Sequence, residues 1–408
     1  MHSDRQTYVP AFDGLRGIAV LPVVLLHVGA SVLPDSALLR ALTRGWYGVD
    51  LFFVLSGFLI TKILVRELDA TGTIAVGRFY YRRFLRLMPA YVTMLTAVLA
   101  GAAVFAPDQL RRVPVVLPSL LTGTYNYEVA AGAPHFGVLV VIWSLCVEAQ
   151  FYLLWPWLLR GVERRRLMRL CVLAIILLSV YRTVLYAVLN WGHLRRPTPF
   201  SATWIYFATD TRIAVILIGC AAALSVTESR IARIWFAISR RRGFAWLALA
   251  AAVVCIMFVT GGAPSSASWR SATFGYTLAG AASAVLLIAV FLQPESGVAR
   301  LLSLRPLVSL GTVSYGVYLF HLPIARLLLI VCPRTAWPQA ALASTAVTRY
   351  FAASAAVLAL TWLLAAMHYK LVEQRVLRLR PAIKPAAGRA IGTEQRQPAG
   401  SRFPAQAL

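Results

Sequence analysis

No Cys-x-x-Cys occurs in this sequence. Its five cysteines, Cys146, Cys171, Cys220, Cys255 and Cys332, stand singly in or beside apolar segments, without ligand spacing. That excludes a recognisable zinc or dithiol motif; no metal is expected, and the thiols read as small buried hydrophobes. Lysine is nearly missing: of 40 basic residues only Lys62, Lys370 and Lys384 are lysines. Codon bias in a GC-rich genome produces such a skew without functional pressure. Acidic residues are also few, 15 against those 40, leaving a formal charge of +25. No repeat with a period of roughly 20–50 residues is visible, and no stretch has the composition of a second folded domain.

What fills the chain instead is apolar sequence. Over 408 residues 59% are hydrophobic and the mean hydropathy is +0.71, too apolar for a water-soluble domain and indicative of an all-α polytopic membrane protein. Ten windows approach the length that crosses about 30 Å of hydrocarbon as helix. They run near 15–33, 46–65, 87–106, 142–159, 167–190, 210–227, 244–261, 273–292, 307–331 and 348–370. A cleavable signal peptide is the alternative for the first, with Arg5 before it and small residues at Gly29 to Ser31. Asp13 and Arg16 stand where a signal's apolar region should begin, so retention as a first span is expected.

In a soluble protein the charge would point to nucleic acid. Here the basic residues cluster between apolar runs, where they report orientation, and no nucleic-acid partner is expected. One set of connections carries Arg66, Arg78, Arg82, Arg83 and Arg86, then Arg160 to Arg169, Arg230 to Arg242, Arg300 with Arg305, and the tail from Lys370. The alternate set carries only Arg40 with Arg44, Arg111 with Arg112, Arg195 with Arg196, Arg270 and Arg334. The positive-inside rule then puts both termini in the cytoplasm of a cell-membrane protein. After Leu379 the tail "RPAIKPAAGRAIGTEQRQPAGSRFPAQAL" has no apolar period. The expected division is a membrane domain over 1–379 and a disordered tail over 380–408.

Several apolar windows carry groups that are costly in lipid. "FDGLRGIAVLPVVLLHVG" holds Arg16 and His27. Eleven residues of helix advance about 16 Å and return within roughly 20° to the same face, so the two share one stripe. Ionisable groups inside a bilayer face a protein interior or a wet cavity. An Arg-x10-His pair arises readily by chance in so arginine-rich a chain, and a histidine bonded within the bundle is the plainer reading. "GWYGVDLFFVLSGFLITK" adds Asp50 and Lys62, "VIWSLCVEAQFYLLWP" adds Glu148, and "SLGTVSYGVYLFHLP" adds Ser314, Tyr315, Tyr318 and His321. A common cavity would account for all of them; so would interhelical hydrogen bonding at each. Arg83 and Arg86, in "RFYYRRFLRLMP", are three apart on one helical face. That pair suits bidentate phosphate binding or positive-inside anchoring.

Six stretches in order, "FDGLRGIAVLPVVLLH", "GVDLFFVLSGFLIT", "YYRRFLRLMPAY", "WSLCVEAQFYLLWP", "TRIAVILIGCAAAL" and "LGTVSYGVYLFHLPI", resemble the acyltransferase-3 family of integral membrane O-acyltransferases over residues 8–375 or so. The resemblance implies a ten-helix bundle. It would take an acyl group, commonly acetyl, from cytoplasmic acyl-CoA to a hydroxyl of a glycan, glycolipid or glycosylated small molecule such as a macrolide. Acyl-CoA is then a co-substrate, and no bound cofactor is implied. Arg16 and His27 match the family's functional arginine and histidine of the first helix, and Arg83 with Arg86 its cytoplasmic Arg-x-x-Arg. Cys146 stands where Ser or Ala is common, Ala214 where many members carry an acid, and "VEQR" from Val372 where Glu is closely followed by Pro. The tail is too short for the esterase-like SGNH domain of some members, so a stand-alone transferase is expected.

Acyl transfer to a hydroxyl requires a base, oxyanion stabilisation and juxtaposition of the partners. His27 is the expected base; His2, His135, His193 and His368 lie at ends or in loops, leaving only His321 also well inside. Glu148 or Asp50 is expected to fix the imidazole tautomer, Glu148 being favoured because a matching stretch centres on it. Arg16, Arg83 and Arg86 are expected to clamp the CoA phosphates, and Asp13, Ser144, Arg212, Tyr315 and His321 to support the cavity. Two other readings stay open: a transporter or flippase without acyl transfer, against which no inverted repeat is visible, and a non-catalytic sensor on the same fold.

Overall fold

Backbone polar groups in a bilayer core have to be paired within the segment that carries them, which makes helices the solution for apolar runs of this length. The computed structural model describes residues 9–32, 45–133, 136–192, 198–241, 243–260, 268–331 and 346–379. Among them every regular element is helical. The principal helices are α1 (Pro10–Val32), α2 (Tyr47–Thr71), α3 (Val76–Phe105), α4 (Val113–Thr122), α5 (Tyr125–Ala130), α6 (Ile142–Gly161), α7 (Arg164–Leu189), α8 (Pro199–Phe207) and α9 (Thr209–Ser225). They continue with α10 (Ser229–Ser239), α11 (Phe244–Thr260), α12 (Tyr276–Leu292), α13 (Gly297–Leu302), α14 (Arg305–Thr312), α15 (Ser314–Val331), α16 (Ala346–His368) and α17 (Gln374–Leu377). His2, His135, His193, Cys332, Arg5, Arg40, Arg44, Arg195, Arg196, Arg334 and the tail 380–408 lie outside the described residues.

Among the described residues eight helices are long and apolar enough to cross a membrane, or nine if the pair Arg230–Ser239 and Phe244–Val259, bent by 97°, forms one span. The chain is an all-α polytopic membrane protein. The expected span at 142–159 is present as the 20-residue α6; Ser144, Glu148 and Gln150 leave it too polar for that count. Two boundaries differ from the sequence reading. The third span begins at Val76, because the Arg83 segment is continuous with it. The ninth window is broken at Val313, which leaves helical geometry between α14 and α15.

Core and rim separate by burial. In α2 67% of the apolar window is buried within the protein, against 11% in α7. On the rim Leu153, Leu154 and Trp157 of α6, Ile176 and Val180 of α7, and Leu247, Val254 and Met257 of α11 are exposed, as side chains facing hydrocarbon are. At one end of the bundle Arg165 donates a 2.7 Å hydrogen bond to Glu228 and holds that carboxyl below the usual carboxylate range.

With lipid tails as apolar as leucine, packing between spans depends on close approach. A Cβ at Gly57 of α2 would overlap the Ile216 carbonyl of α9, and one at Gly219 of α9 would overlap the Val54 carbonyl of α2. The two helices therefore touch backbone to backbone. They run parallel, since seven residues before each glycine, about 10 Å along the axis, Asp50 of α2 meets Arg212 of α9. Gly57→Ala is expected to cost about 1–3 kcal/mol through overpacking, read as a lower Tm in detergent; Gly101→Ala, whose Cβ would meet open space, is expected to leave Tm unchanged.

Near the end of the last span a π-helical turn, Tyr369–Glu373, places Glu373 beside His368, Nδ1 to Oε1 3.1 Å, while His368 Nε2 meets Thr93 Oγ1 at 3.1 Å. With Gln374 and Arg375 in place of proline the helix runs on to Leu377. Of the other unusual residues, Cys146 is buried, and Ala214 is fully buried and lines neither cavity described below. Among the described cysteines Cys171 and Cys220 are likewise buried and Cys255 is partly so; all are free thiols.

Candidate functional site

α1 carries Arg16 on its second turn and His27 three turns later, and two cavities open toward its two ends. The first, about 130 Å³, is lined by Arg16 with Arg83 and Arg86 of α3, Ser56 of α2, Ser144, Glu148 and Tyr152 of α6, and Ser314, Tyr315 and Tyr318 of α15. Arg16 is paired with Asp13 at 2.6 Å. No ion pair within 4 Å involves Arg83 or Arg86 among the described residues. Arg83 lies beside the rings of Phe79 and Tyr152, 5.6 and 6.0 Å from their centres, and its buried Nε has no hydrogen-bond partner among the described residues. Three guanidiniums thus face one small space, and an anion is the ligand that would complete them. Tyr315 donates to the Leu87 carbonyl at 2.9 Å, tying α15 to the helix next to Arg86.

The second cavity, about 200 Å³, is lined by Val23, Leu26 and His27 of α1, Trp46 and Val49, Val140, Val141 and Trp143, Tyr206 and Phe207 of α8, and Tyr318. Val49 and Tyr318 line both spaces, so together they form the boundary. Tyr318 is held there by its hydroxyl, which donates to the Val141 carbonyl at 3.0 Å and lies 2.7 Å from Ser144 Oγ.

The protonation of His27 follows from its neighbours. His321 Nδ1 lies 2.7 Å from the Tyr318 carbonyl, an acceptor only, so in the neutral ring the proton is on Nδ1 and the lone pair on Nε2. That Nε2 lies 3.0 Å from His27 Nδ1, which is also 2.9 Å from the Val23 carbonyl. Two acceptors around Nδ1 of His27 require a proton there and place its lone pair on Nε2. The rings are tilted by 45° with centres 4.9 Å apart. His321 is fully buried and His27 half-buried.

Two placements differ from the sequence expectation. Glu148, the favoured tautomer-fixing partner, instead accepts from the Tyr152 hydroxyl at 2.8 Å, with Ser56 Oγ 2.8 Å beyond, and lines the arginine cavity. It lies one helical turn from Tyr152 on α6, so the nearest donor is local. Asp50, expected beside the base, is fully buried in an ion pair with Arg212 and lines neither cavity. The Arg212 guanidinium is 3.8 Å from the centre of the Tyr276 ring and 5.2 Å from that of Tyr206, with Trp143 and Phe53 beyond. The side chain that meets His27 Nδ1, where a carboxylate is expected, is His321.

Sequence reasoning missed Arg182, Trp46, Trp143, Tyr206 and Tyr152. Arg182 is fully buried, giving its protons to the carbonyls of Ala272, Thr211 and Thr273 and to Thr277 Oγ1 at 2.7–3.1 Å. Two of those carbonyls belong to a π-helical turn, Ser271–Gly275, whose wider ring leaves backbone groups to be paired elsewhere. A lone arginine deep in an apolar span was the available signal. Among the described residues no group of three or more His, Cys, Asp or Glu is placed to hold a metal ion.

Buried guanidiniums, an imidazole pair and paired cavities within a helical bundle define an integral membrane protein with an internal polar site. The family described as "Acyltransferase domain" matches residues 9–366, and the chain belongs to it. A Listeria monocytogenes protein named peptidoglycan O-acetyltransferase OatA is 32% identical over 334 residues, 78% of this chain and 50% of that protein. O-acetyltransferase OatA of Staphylococcus aureus is 29% identical over 341 residues, covering 79% and 51%. A putative peptidoglycan O-acetyltransferase, YrhL of Bacillus subtilis, is 33% identical over 334 residues, covering 78% and 48%. The chain spans about half the length of the curated relatives it matches. No solved structure matches it.

Proposed function

We propose that this protein is a cell-membrane O-acetyltransferase that moves an acetyl group from cytoplasmic acyl-CoA to a hydroxyl of a cell-surface glycan of the peptidoglycan type. The observation that carries the donor half is the convergence of Arg16, Arg83 and Arg86 on one cavity, the last two in no ion pair within 4 Å among the described residues. CoA brings a pyrophosphate and a 3′-phosphate, and planar guanidinium forks match phosphate oxygens. Both termini and this cavity lie on the cytoplasmic side, where the donor is. The names of the relatives support acetyl as the group and a glycan as the recipient.

In the reaction His27 Nε2 takes the proton of the acceptor hydroxyl, whose oxygen attacks the thioester carbonyl carbon. The C–S bond breaks, and the thiolate recovers the proton from the Nε2 position, giving free CoA and an O-acetyl ester. Fixing the tautomer through His321 keeps the basic atom on the ring edge away from Val23. The acyl group has to cross the Val49–Tyr318 boundary to meet that atom.

Membranes containing the protein, given acetyl-labelled acetyl-CoA and a β-1,4-linked N-acetylhexosamine oligomer, are expected to yield labelled O-acetyl glycan. Substrate movement without labelled product would instead identify a transporter. Arg86→Ala is expected to raise the KM for acetyl-CoA about tenfold, the loss of a charge-assisted bond of roughly 1.5 kcal/mol, with the acceptor KM unchanged. An unchanged donor KM would reject the clamp.

A further inference from the structure

Among the described residues that line the second cavity there is no Arg, Lys, Asp or Glu. A phosphate-bearing ligand would find no counter-charge among them, and the space they enclose suits a neutral one. Its walls are aromatic: Trp46, Trp143, Tyr206, Phe207 and Tyr318. Trp143 packs 4.9 Å from Tyr206 and 5.3 Å from Phe207, centre to centre, so the wall is a continuous cluster and not a set of separate rings. The indole N–H of Trp46 is buried and has no hydrogen-bond partner among the described residues, although only 3% of the residue is exposed. A buried donor left unpaired calls for an explanation; of the two such indoles among the described residues, Trp46 and Trp155, only Trp46 lines a cavity, where a ligand acceptor could pair it. A purely apolar occupant such as a lipid tail would leave that N–H unpaired.

We propose that this cavity is the acceptor site, holding one pyranose ring of the glycan, with the Trp46 indole donating to a ring hydroxyl or ring oxygen. A pyranose with equatorial hydroxyls has C–H-lined faces that match the negative π-face of an aromatic ring, and a rim of hydroxyls that demands a few fixed polar partners. His27 lines the same cavity, so a hydroxyl of the seated ring lies beside the base. The aromatic wall is braced from behind: Arg212, locked by Asp50, lies over Tyr206 and Trp143. The inference rests on the acetyl-transfer reading for its choice of a glycan, but its test measures binding.

Purified protein in detergent is titrated with chitotetraose, a neutral β-1,4 N-acetylglucosamine oligomer, and Kd is read from thermal stabilisation. The wild type is expected to bind with the same Kd in the presence and absence of saturating CoA. Trp46→Phe, which keeps the ring and removes the N–H, is expected to weaken Kd about 3- to 10-fold, the ratio for one neutral hydrogen bond. Trp143→Leu, which removes part of the aromatic face, is expected to weaken it further. Both variants should keep the CoA affinity of the wild type, which checks their folding. Absence of chitotetraose binding, unchanged affinity in both variants, or displacement of the sugar by CoA would overturn the proposal. Sugar binding as expected, with no labelled product in membranes, would strike the transfer reading alone.

Discussion

Replacing His27 by alanine is expected to lower acetyl transfer by about 10²- to 10⁴-fold, the usual contribution of a positioned general base. The loss should fall on kcat, with donor KM nearly unchanged, because the guanidiniums that hold the donor line the other cavity. His321 cannot substitute. Its Nδ1–H is committed to the Tyr318 carbonyl, and the ring is fully buried and lines neither cavity. The measurement is single-turnover release of CoA from membranes in which the variant is shown to be inserted in wild-type amount. Turnover within about twofold of wild type would remove His27 from the role of base, since such a residual rate is far above what loss of a base leaves.

Asp50→Ala is expected to be the most destabilising single change in the bundle. It leaves Arg212, fully buried, without a counter-ion, and Arg182, also fully buried over the same Tyr276 ring, has carbonyls and a hydroxyl as its hydrogen-bond acceptors among the described residues. Removing one member of a buried pair costs about 3–5 kcal/mol, because the remaining charge stays desolvated. The readout is Tm and recovery as a monodisperse species in detergent. Removing the orphaned charge as well, in Asp50→Ala with Arg212→Leu, is expected to recover part of that loss, since a buried pair and an apolar replacement differ little in net stability. A single variant as stable as wild type would show that water or lipid headgroups reach Arg212. Activity lost through instability would also explain why a carboxylate that looks catalytic in the sequence matters without approaching the base.

Much of the helix pattern was legible. Apolar windows of span length located α1, α2, α7, α9, α11, α12 and α16, because the hydrocarbon thickness imposes a length and the backbone imposes a helix. The break at Val313 was not legible: nothing in "SLGTVSY" forbids a continuous helix, and the split is associated with Gly311 pressing on the Asp13 carbonyl of α1. The Arg83 and Arg86 pair was legible as one helical face, since three residues nearly complete a turn. Tyr152 as the partner of Glu148 was available in the same way, four residues along α6, a nearer donor than any histidine on another helix.

By itself the sequence determined the class of protein, the spans, and the presence of arginines and a histidine where lipid makes them costly. These follow from local composition and from the 3.6-residue period, which act over tens of residues. Tertiary structure alone decided the partners: His27 with His321, 294 positions away, Asp50 with Arg212, 162 away, and the division of one polar stripe into two cavities by Val49 and Tyr318. Each of these joins separate helices. Which helices touch is set by where their backbones can approach, as at Gly57 and Gly219, and that is a property of pairs of surfaces that no single segment contains.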